Sequence, residues 1–410
     1  MIMITFNASS DRHLVDCHVT SQRMVEWQIG VNAAVQPIRR APLNIALIID
    51  RSGSMGGDKL AYVKQAALHL LDQLDERDRV AVVAYDDEVL LLAAGQYLTP
   101  TTRQPIRARI QALQPGGWTN LAGGWLTGCN AISTRLASEG VNRALLLTDG
   151  LANRGIVDIE DLIHHARELR LRGIATSTFG VGLDFNEHLL EALASNGGGH
   201  FFYIARPDQI PTVFRQELGE LLTVVARETW MTIGVPRGVT LELLGNLPHE
   251  RTGERIRIFL GDLCNGDQRH LYTRILIPPD APNSSIVLPA EFGYADLTGQ
   301  THTVRCAMAF TYAYDYEVRT IPISQDLLQR ASEVEVAAVA DKALQLEREG
   351  RRHEASAMMF DALAAAAPSM PPASAAAYTD LAQQMEHGLS EEKRKDSHFQ
   401  TYQKRHNRKA

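Results

Sequence analysis

Between residues 42 and 227, four near-continuous apolar runs, LNIALIID, RVAVVAY, RALLLTD and IATSTFGVG, alternate with segments whose apolar residues recur at helical spacing. Few folds accept that pattern. A strand with no polar alternation must be covered on both faces, and the intervening segments 59–74, 121–136 and 159–171 supply amphipathic helices to cover it. The alternation predicts an α/β domain built on a doubly wound, mostly parallel sheet. In such a sheet the binding crevice lies beyond the carboxyl ends of the strands, where the strand order reverses.

The flanks read differently. Residues 1–41 and 228–322 carry short alternating stretches, such as 1–6, 231–235, 256–260 and 271–277, punctuated by Pro and Gly, which is the pattern of antiparallel strands. About 40 residues are too few to form an independent sheet domain, so the first segment is expected to pair with the later one in a discontinuous β-sandwich, with residues 42–227 inserted in it. From residue 323 to 410 the strand pattern disappears. Segments 325–349 and 351–366 are rich in Ala, Leu and Glu and flank Gly350, which predicts a helical hairpin. A Pro-rich break, PSMPPAS, then precedes a third helix for which Ser374 is the expected N-cap. The closing EEKRKDSHFQTYQKRHNRKA holds seven Lys or Arg against three acids. It reads as a solvated helix end or disordered tail rather than a nucleic-acid site.

At 410 residues, with 45% hydrophobic and 22% charged residues, the chain has the composition of two or three globular domains. A formal charge of −7 is too small for this length to steer the protein to nucleic acid or an anionic membrane. The N-terminal MIMITFNASS lacks the basic and apolar regions of a signal peptide. The longest apolar run falls far short of the roughly 18–20 residues of a membrane span. Cys17, Cys129, Cys264 and Cys306 are scattered without C-x-x-C spacing, as expected of unpaired thiols in a reducing compartment. A cytoplasmic, membrane-free location follows as the expectation.

The most informative stretch is LNIALIIDRSGSMGG. A buried strand ends at Asp50, and Ser52 and Ser54 follow in a loop that Gly53, Gly56 and Gly57 allow to turn sharply. A small hard cation such as Mg²⁺ takes about six oxygen ligands at about 2.1 Å and keeps several waters, a demand that two hydroxyls and a carboxylate match.

D-R-S-G-S-M resembles the first part of the metal-ion-dependent adhesion site of von Willebrand factor type A domains, in their bacterial intracellular type. PGGWTNLAGG resembles the second part and LLLTDG the third. The resemblance implies a Rossmann-like domain whose cation is held by Asp50, Ser52, Ser54, Thr119 and Asp149, with Mg²⁺ expected and Mn²⁺ or Ca²⁺ as alternatives. It further implies direct ligation by the three hydroxyls, with the two carboxylates acting through waters and hydrogen bonds. A metal ligated mainly by neutral hydroxyls keeps an electrophilic position for a partner's Asp or Glu.

Residues near these motifs carry two readings each. Trp125 reads first as a core residue, whereas for Trp118 both core packing and an exposed anchor stay open. Asn153 and Arg154 follow the TDG turn, where they could face a ligand carboxylate, although Arg154 reads first as a plain surface residue. Asp86 and Asp87, after VAVVAY, read as solvated turn acids that could alternatively approach the metal and shift its selectivity. Adjacent His164 and His165 face different directions on a helix and form no i, i+4 metal pair. With no G-x-S-x-G elbow and no phosphate-binding Gly motif, the chain is read as a binding module rather than an enzyme. A metal-dependent protein-interaction module is the first expectation. A subunit coupling an AAA+ ATPase of MoxR or chelatase-like type to its substrate is the alternative.

Overall fold

The computed structural model describes residues 3–32, 40–137 and 139–406. The chain opens with β1 (Met3–Ser10), β2 (Leu14–Asp16) and β3 (Ser21–Asn32). Its α/β part runs β4 (Leu43–Asp50), α1 (Asp58–Gln73), β5 (Arg79–Tyr85), β6 (Val89–Tyr97), α2 (Pro100–Gln111), α3 (Leu121–Ser133), β7 (Val141–Thr148), α4 (Ile159–Leu171), β8 (Ala175–Val181), α5 (Glu187–Asn196), β9 (Gly198–Ile204) and α6 (Ile210–Leu222). The sheet order is β6-β5-β4-β7-β8-β9, parallel except for the antiparallel edge strand β6. Every residue of β4 and of β7 is buried, as strands covered on both faces must be. Leu60, Val63, Ile106, Phe214 and Leu218 cover one face, while Leu121, Trp125, Leu162, Leu189 and Leu193 cover the other. Strands β6 and β9 escaped the sequence reading. The first, VLLLAAGQY, leaves seven of its nine residues exposed or partly covered without a clean period, and the second begins in two glycines that carry no strand pattern.

Seven strands follow α6: β10 (Val224–Gly234), β11 (Thr240–Leu243), β12 (His249–Thr252), β13 (Arg255–Cys264), β14 (Gln268–Ile277), β15 (Ser285–Ala295) and β16 (Thr301–Ala313). One sheet has the order β1-β3-β14-β11 and the other β12-β13-β10-β15-β16-β2. Trp27, Ile29, Ile275, Ile258, Phe292 and Phe310, drawn from both sheets, share one buried cluster. Trp27 sits wholly inside, its indole N–H donating to Thr273 Oγ1 at 3.0 Å, so even its polar atom is satisfied.

The last part comprises α7 (Asp315–Thr320), α8 (Gln325–Arg348), α9 (Arg352–Ala366), α10 (Pro372–His387) and α11 (Glu391–Arg405). Gly350, at φ +84°, makes the turn between α8 and α9. Two expectations fail here. Ser374 does not cap α10, which starts at Pro372; its hydroxyl reaches Glu333 on α8 instead, and Pro at the first helical position removes the need for one donor's partner. The basic closing segment is no solvated tail either. Arg394, Lys395, His398, Thr401, Tyr402 and Arg405 form a buried stripe of α11 at spacings of one, three and four residues. The stripe packs on α5 and α8, where Glu187, Glu191, Asp341 and Glu347 supply its counter-charges. Its last four residues, 407–410, lie outside the described residues.

Candidate metal site

The parallel strands β4 and β7 are sheet neighbours, but the chain leaves β4 for β5 on one side before returning to β7 on the other. That reversal opens a crevice at their carboxyl ends, and Asp50 and Asp149 stand there. Both carboxylates are wholly buried, Ser52 and Thr119 nearly so, and Ser54 is exposed. Gly57, at φ +72°, turns the chain from the Asp50 loop into α1.

The side chains form one connected set. Asp50 accepts from the Ser52 backbone N–H at 2.8 Å and from Thr148 Oγ1 at 2.5 Å. Ser52 Oγ lies 3.2 Å from Ser54 Oγ, and Ser54 Oγ donates to Asp149 Oδ1 at 2.7 Å. The second oxygen of Asp149 pairs with Lys59 Nζ at 2.5 Å. A Cβ on Gly150 would stand 3.4 Å from Thr119 Oγ1 and 3.8 Å from Ser54 Oγ, so both hydroxyls gather around this glycine. Burial pushes the Asp50 carboxyl up to about 6, against the pull of its hydrogen bonds from Ser52 and Thr148. Burial, with the Asp50 charge beside it, also raises the Tyr85 phenol well above its ordinary value.

A second loop is clamped against the first. Gly53 N–H donates to Gly117 O at 3.0 Å and Gly116 N–H to Arg51 O at 2.7 Å, while Thr119 N–H donates to Asn153 Oδ1 at 3.0 Å. Asn153 therefore orients the Thr119 loop rather than standing free for a ligand. Asp86 is 4% exposed, which corrects its reading as a solvated turn acid. It pairs with Arg51 at 2.9 Å and accepts from Gly117 N–H at 3.2 Å and Glu88 N–H at 2.9 Å, locking the loops together. A Cβ at Gly116 would collide with this carboxylate, which explains the glycine. Asp87 accepts from Trp118 N–H at 3.1 Å and lies 3.5 Å from Arg154, whose side chain is otherwise well exposed. The two tryptophans divide: Trp125 is fully buried and donates to Thr176 Oγ1 at 3.2 Å, whereas Trp118 is 61% exposed beside the crevice. Leu151 and Leu183 are exposed in the loops after β7 and β8.

The donor set suits a small divalent cation. Adjacent ligands of an octahedral ion at about 2.1 Å stand about 3.0 Å apart, close to the Ser52–Ser54 hydroxyl separation. Lys59 and Thr148 escaped the sequence reading. Thr148 precedes the motif aspartate directly and its side chain points back to Asp50, while Lys59 sits two residues into α1, where a lysine carries no local signal.

A family model for the von Willebrand factor type A domain matches residues 44–216. The chain carries a von Willebrand factor type A domain. The uncharacterized protein sll0103 of Synechocystis sp. is 28% identical over 319 residues, 74% of this chain and 73% of its own. The uncharacterized protein YfbK of Escherichia coli is 32% identical over 187 residues, but the match spans 45% of this chain and only 32% of YfbK. A solved von Willebrand factor type A protein from Catenulispora acidiphila superposes with a TM-score of 0.72 at 18% identity, over 89% of this chain and 86% of that one. The shared fold thus reaches well past the type A domain into its flanking parts. No helix among the described residues is long and apolar enough to cross a membrane.

Proposed function

We propose that the type A domain recognises a partner protein through a divalent cation held by Asp50, Ser52, Ser54, Thr119 and Asp149. Mg²⁺ is the first choice and Mn²⁺ or Ca²⁺ the alternatives. The observation that carries this reading is how the two carboxylates are occupied. Asp50 already accepts from Ser52 N–H and Thr148 Oγ1, and Asp149 from Ser54 Oγ and Lys59. They hold the loops and neutral hydroxyls in register, and the hydroxyls are left as the direct protein ligands. Two carboxylates and one ammonium leave the protein side of the site at a formal charge of −1, less than a divalent ion demands.

When bound, the cation supplies an electrophilic position that an Asp or Glu of the partner completes. The chain's residues provide the rest of the surface. Trp118, Leu151 and Leu183 offer exposed apolar area around the crevice, and Trp118 has the character of an interface anchor. Arg154 adds a cation at the rim for the partner's acid.

Calorimetric titration of the full chain with Mg²⁺ and Mn²⁺, paired with partner capture in Mg²⁺ and in EDTA, tests the reading. Saturable cation binding and capture that EDTA reverses are expected. Cation binding that persists unchanged in Asp50→Ala would refute the assignment.

A further inference from the structure

At the opposite end of the parallel sheet lies a cavity of about 220 Å³ between the type A domain and the sandwich. Its walls come from the starts of β7, β8 and β9, the end of α4, and strands β10 and β13. Three features of this cavity are unexplained by packing.

The first is Arg170, in the last turn of α4. Its guanidinium lies 3.9 Å over the Phe259 ring, and its buried Nη1 has no hydrogen-bond acceptor among the described residues. Burial holds it down at about 10, while Glu250 and Arg167 act on it through space with opposite sign. A buried guanidinium nitrogen without an acceptor is costly, and this one belongs to a side chain that lines the cavity.

The second is a charge imbalance. Arg170, Arg227 and Arg257 line the cavity against Glu228 and Asp262. Asp262 is already paired with the buried Arg143 at 2.8 Å, so it does little to neutralise the cavity. Arg257, an exposed residue, also lies against a ring, its guanidinium 4.5 Å from the Trp230 centroid and its Nε donating to Thr232 Oγ1 at 3.4 Å. A guanidinium held over an aromatic ring still offers N–H groups in its own plane to an oxyanion.

The third is backbone strain. Glu228 has φ +52°, a left-handed backbone that a residue with a Cβ adopts only under strain, in an irregular stretch of β10 between Arg227 and Trp230. The strained turn brings the Glu228 carboxylate over Gly173, where a Cβ would lie 3.0 Å from it, so Glu228 forms the lip of the cavity.

We propose that this cavity binds a small molecule bearing a phosphate or carboxylate group, with Arg170 and Arg257 as its oxyanion-binding residues. The site is independent of the cation crevice and lies at the other pole of the same sheet. A ligand there would bridge α4 and the sandwich, and so hold the type A domain against its scaffold.

The test titrates the full chain with inorganic phosphate and, separately, with malonate, at ionic strength balanced by KCl and in EDTA, reading calorimetric heat and thermal midpoint. Saturable binding with a rise in midpoint is expected from at least one probe, and the arm that binds identifies the oxyanion. Arg170→Met and Arg257→Met should each weaken it roughly tenfold to a hundredfold, as loss of a charge-assisted hydrogen bond does. Arg237→Gln, which removes an exposed sandwich charge, should bind as the unaltered chain does. Should Arg170→Met fail to fold, Arg257→Met and the fork-deleting Arg170→Lys carry the comparison. Absence of saturable binding by both probes, or equal binding by the Arg170 and Arg257 variants, overturns the proposal.

Discussion

Two clusters of charge, one within the type A domain and one where the C-terminal helices meet it, are built on opposite plans. In the crevice above β4 and β7, the buried carboxylates of Asp50 and Asp149 face a single ammonium, Lys59, and a row of hydroxyls that opens to solvent at Ser54. Along α11 the acids and bases match. Lys395 pairs with Glu187 at 2.9 Å and Arg394 with Glu347 at 2.8 Å, while His398 and Arg405 meet Glu191 at 2.8 and 2.9 Å, with Asp341 at 3.3 and 3.2 Å. Buried charges that neutralise one another leave nothing for a ligand to do and serve to seat one part of the chain on another. Charges left under-neutralised at a rim call for an outside ion. On the proposed reading of the crevice, the contrast separates structural from functional electrostatics in one molecule.

Breaking the seam should give the largest effect. Glu191→Ala leaves His398 and Arg405 buried with only Asp341 between them, and is expected to cost about 3–5 kcal/mol in urea unfolding while sparing cation binding. Asp50→Ala should do the reverse. It abolishes divalent binding, yet stability should shift by about 1 kcal/mol, because the burial cost that raises this carboxyl is removed along with its hydrogen bonds. If Glu191→Ala lost cation binding with its fold intact, or Asp50→Ala unfolded, the division between the clusters would collapse.

The seam also predicts a pH dependence of opposite sense on its two sides. Burial opposes charge on His398, but Glu191 and Asp341 outweigh it and hold the imidazole up at about 9. Between the ordinary histidine value near 6.5 and about 9, the native chain keeps a proton that the unfolded chain has lost, so this contribution is complete below 6.5 and fades as pH rises through 9. His188, its ring 4.7 Å from that of His398, is held down at about 4 by burial and by the His398 charge. Below 6.5 the unfolded chain therefore takes up that proton first, and stability falls toward pH 4. Thermal midpoints should peak between these limbs, and His398→Gln should flatten the alkaline one. An alkaline limb unchanged in the variant would show that His398 is not its source.

How far sequence reaches follows the same divide. The α/β domain was legible because fully apolar strands and amphipathic helices announce themselves within short windows, as in LNIALIID. The crevice residues Asp50, Ser52 and Ser54 share one loop, and Thr119 and Asp149 each end a recognisable segment. The α11 stripe was misread because its counter-charges lie far away in the chain: Lys395 answers Glu187, and Arg405 answers Glu191, 208 and 214 residues upstream. A local window sees only a run of solvated bases. Asp86 failed for a related reason, since the loop glycines that bury it come 30 residues later.

The finest test of the contrast concerns Lys59, whose ammonium pairs with Asp149 in the crevice. Its ammonium neutralises Asp149, which lowers the pull of the site on a metal and leaves a bound ion more in need of an external acid. Lys59→Met should therefore tighten Mn²⁺ binding by roughly threefold to tenfold, discounted for the partial exposure of the lysine. Capture of the acidic partner by the loaded domain should weaken in the same variant, because Asp149 then satisfies more of the ion's charge. Electron paramagnetic resonance of free Mn²⁺ gives the first quantity and partner titration the second. Weaker Mn²⁺ binding in Lys59→Met would mean that the ammonium organises Asp149 for the ion instead of competing with it, and the crevice would then resemble the α11 seam in being built around its own internal pairs.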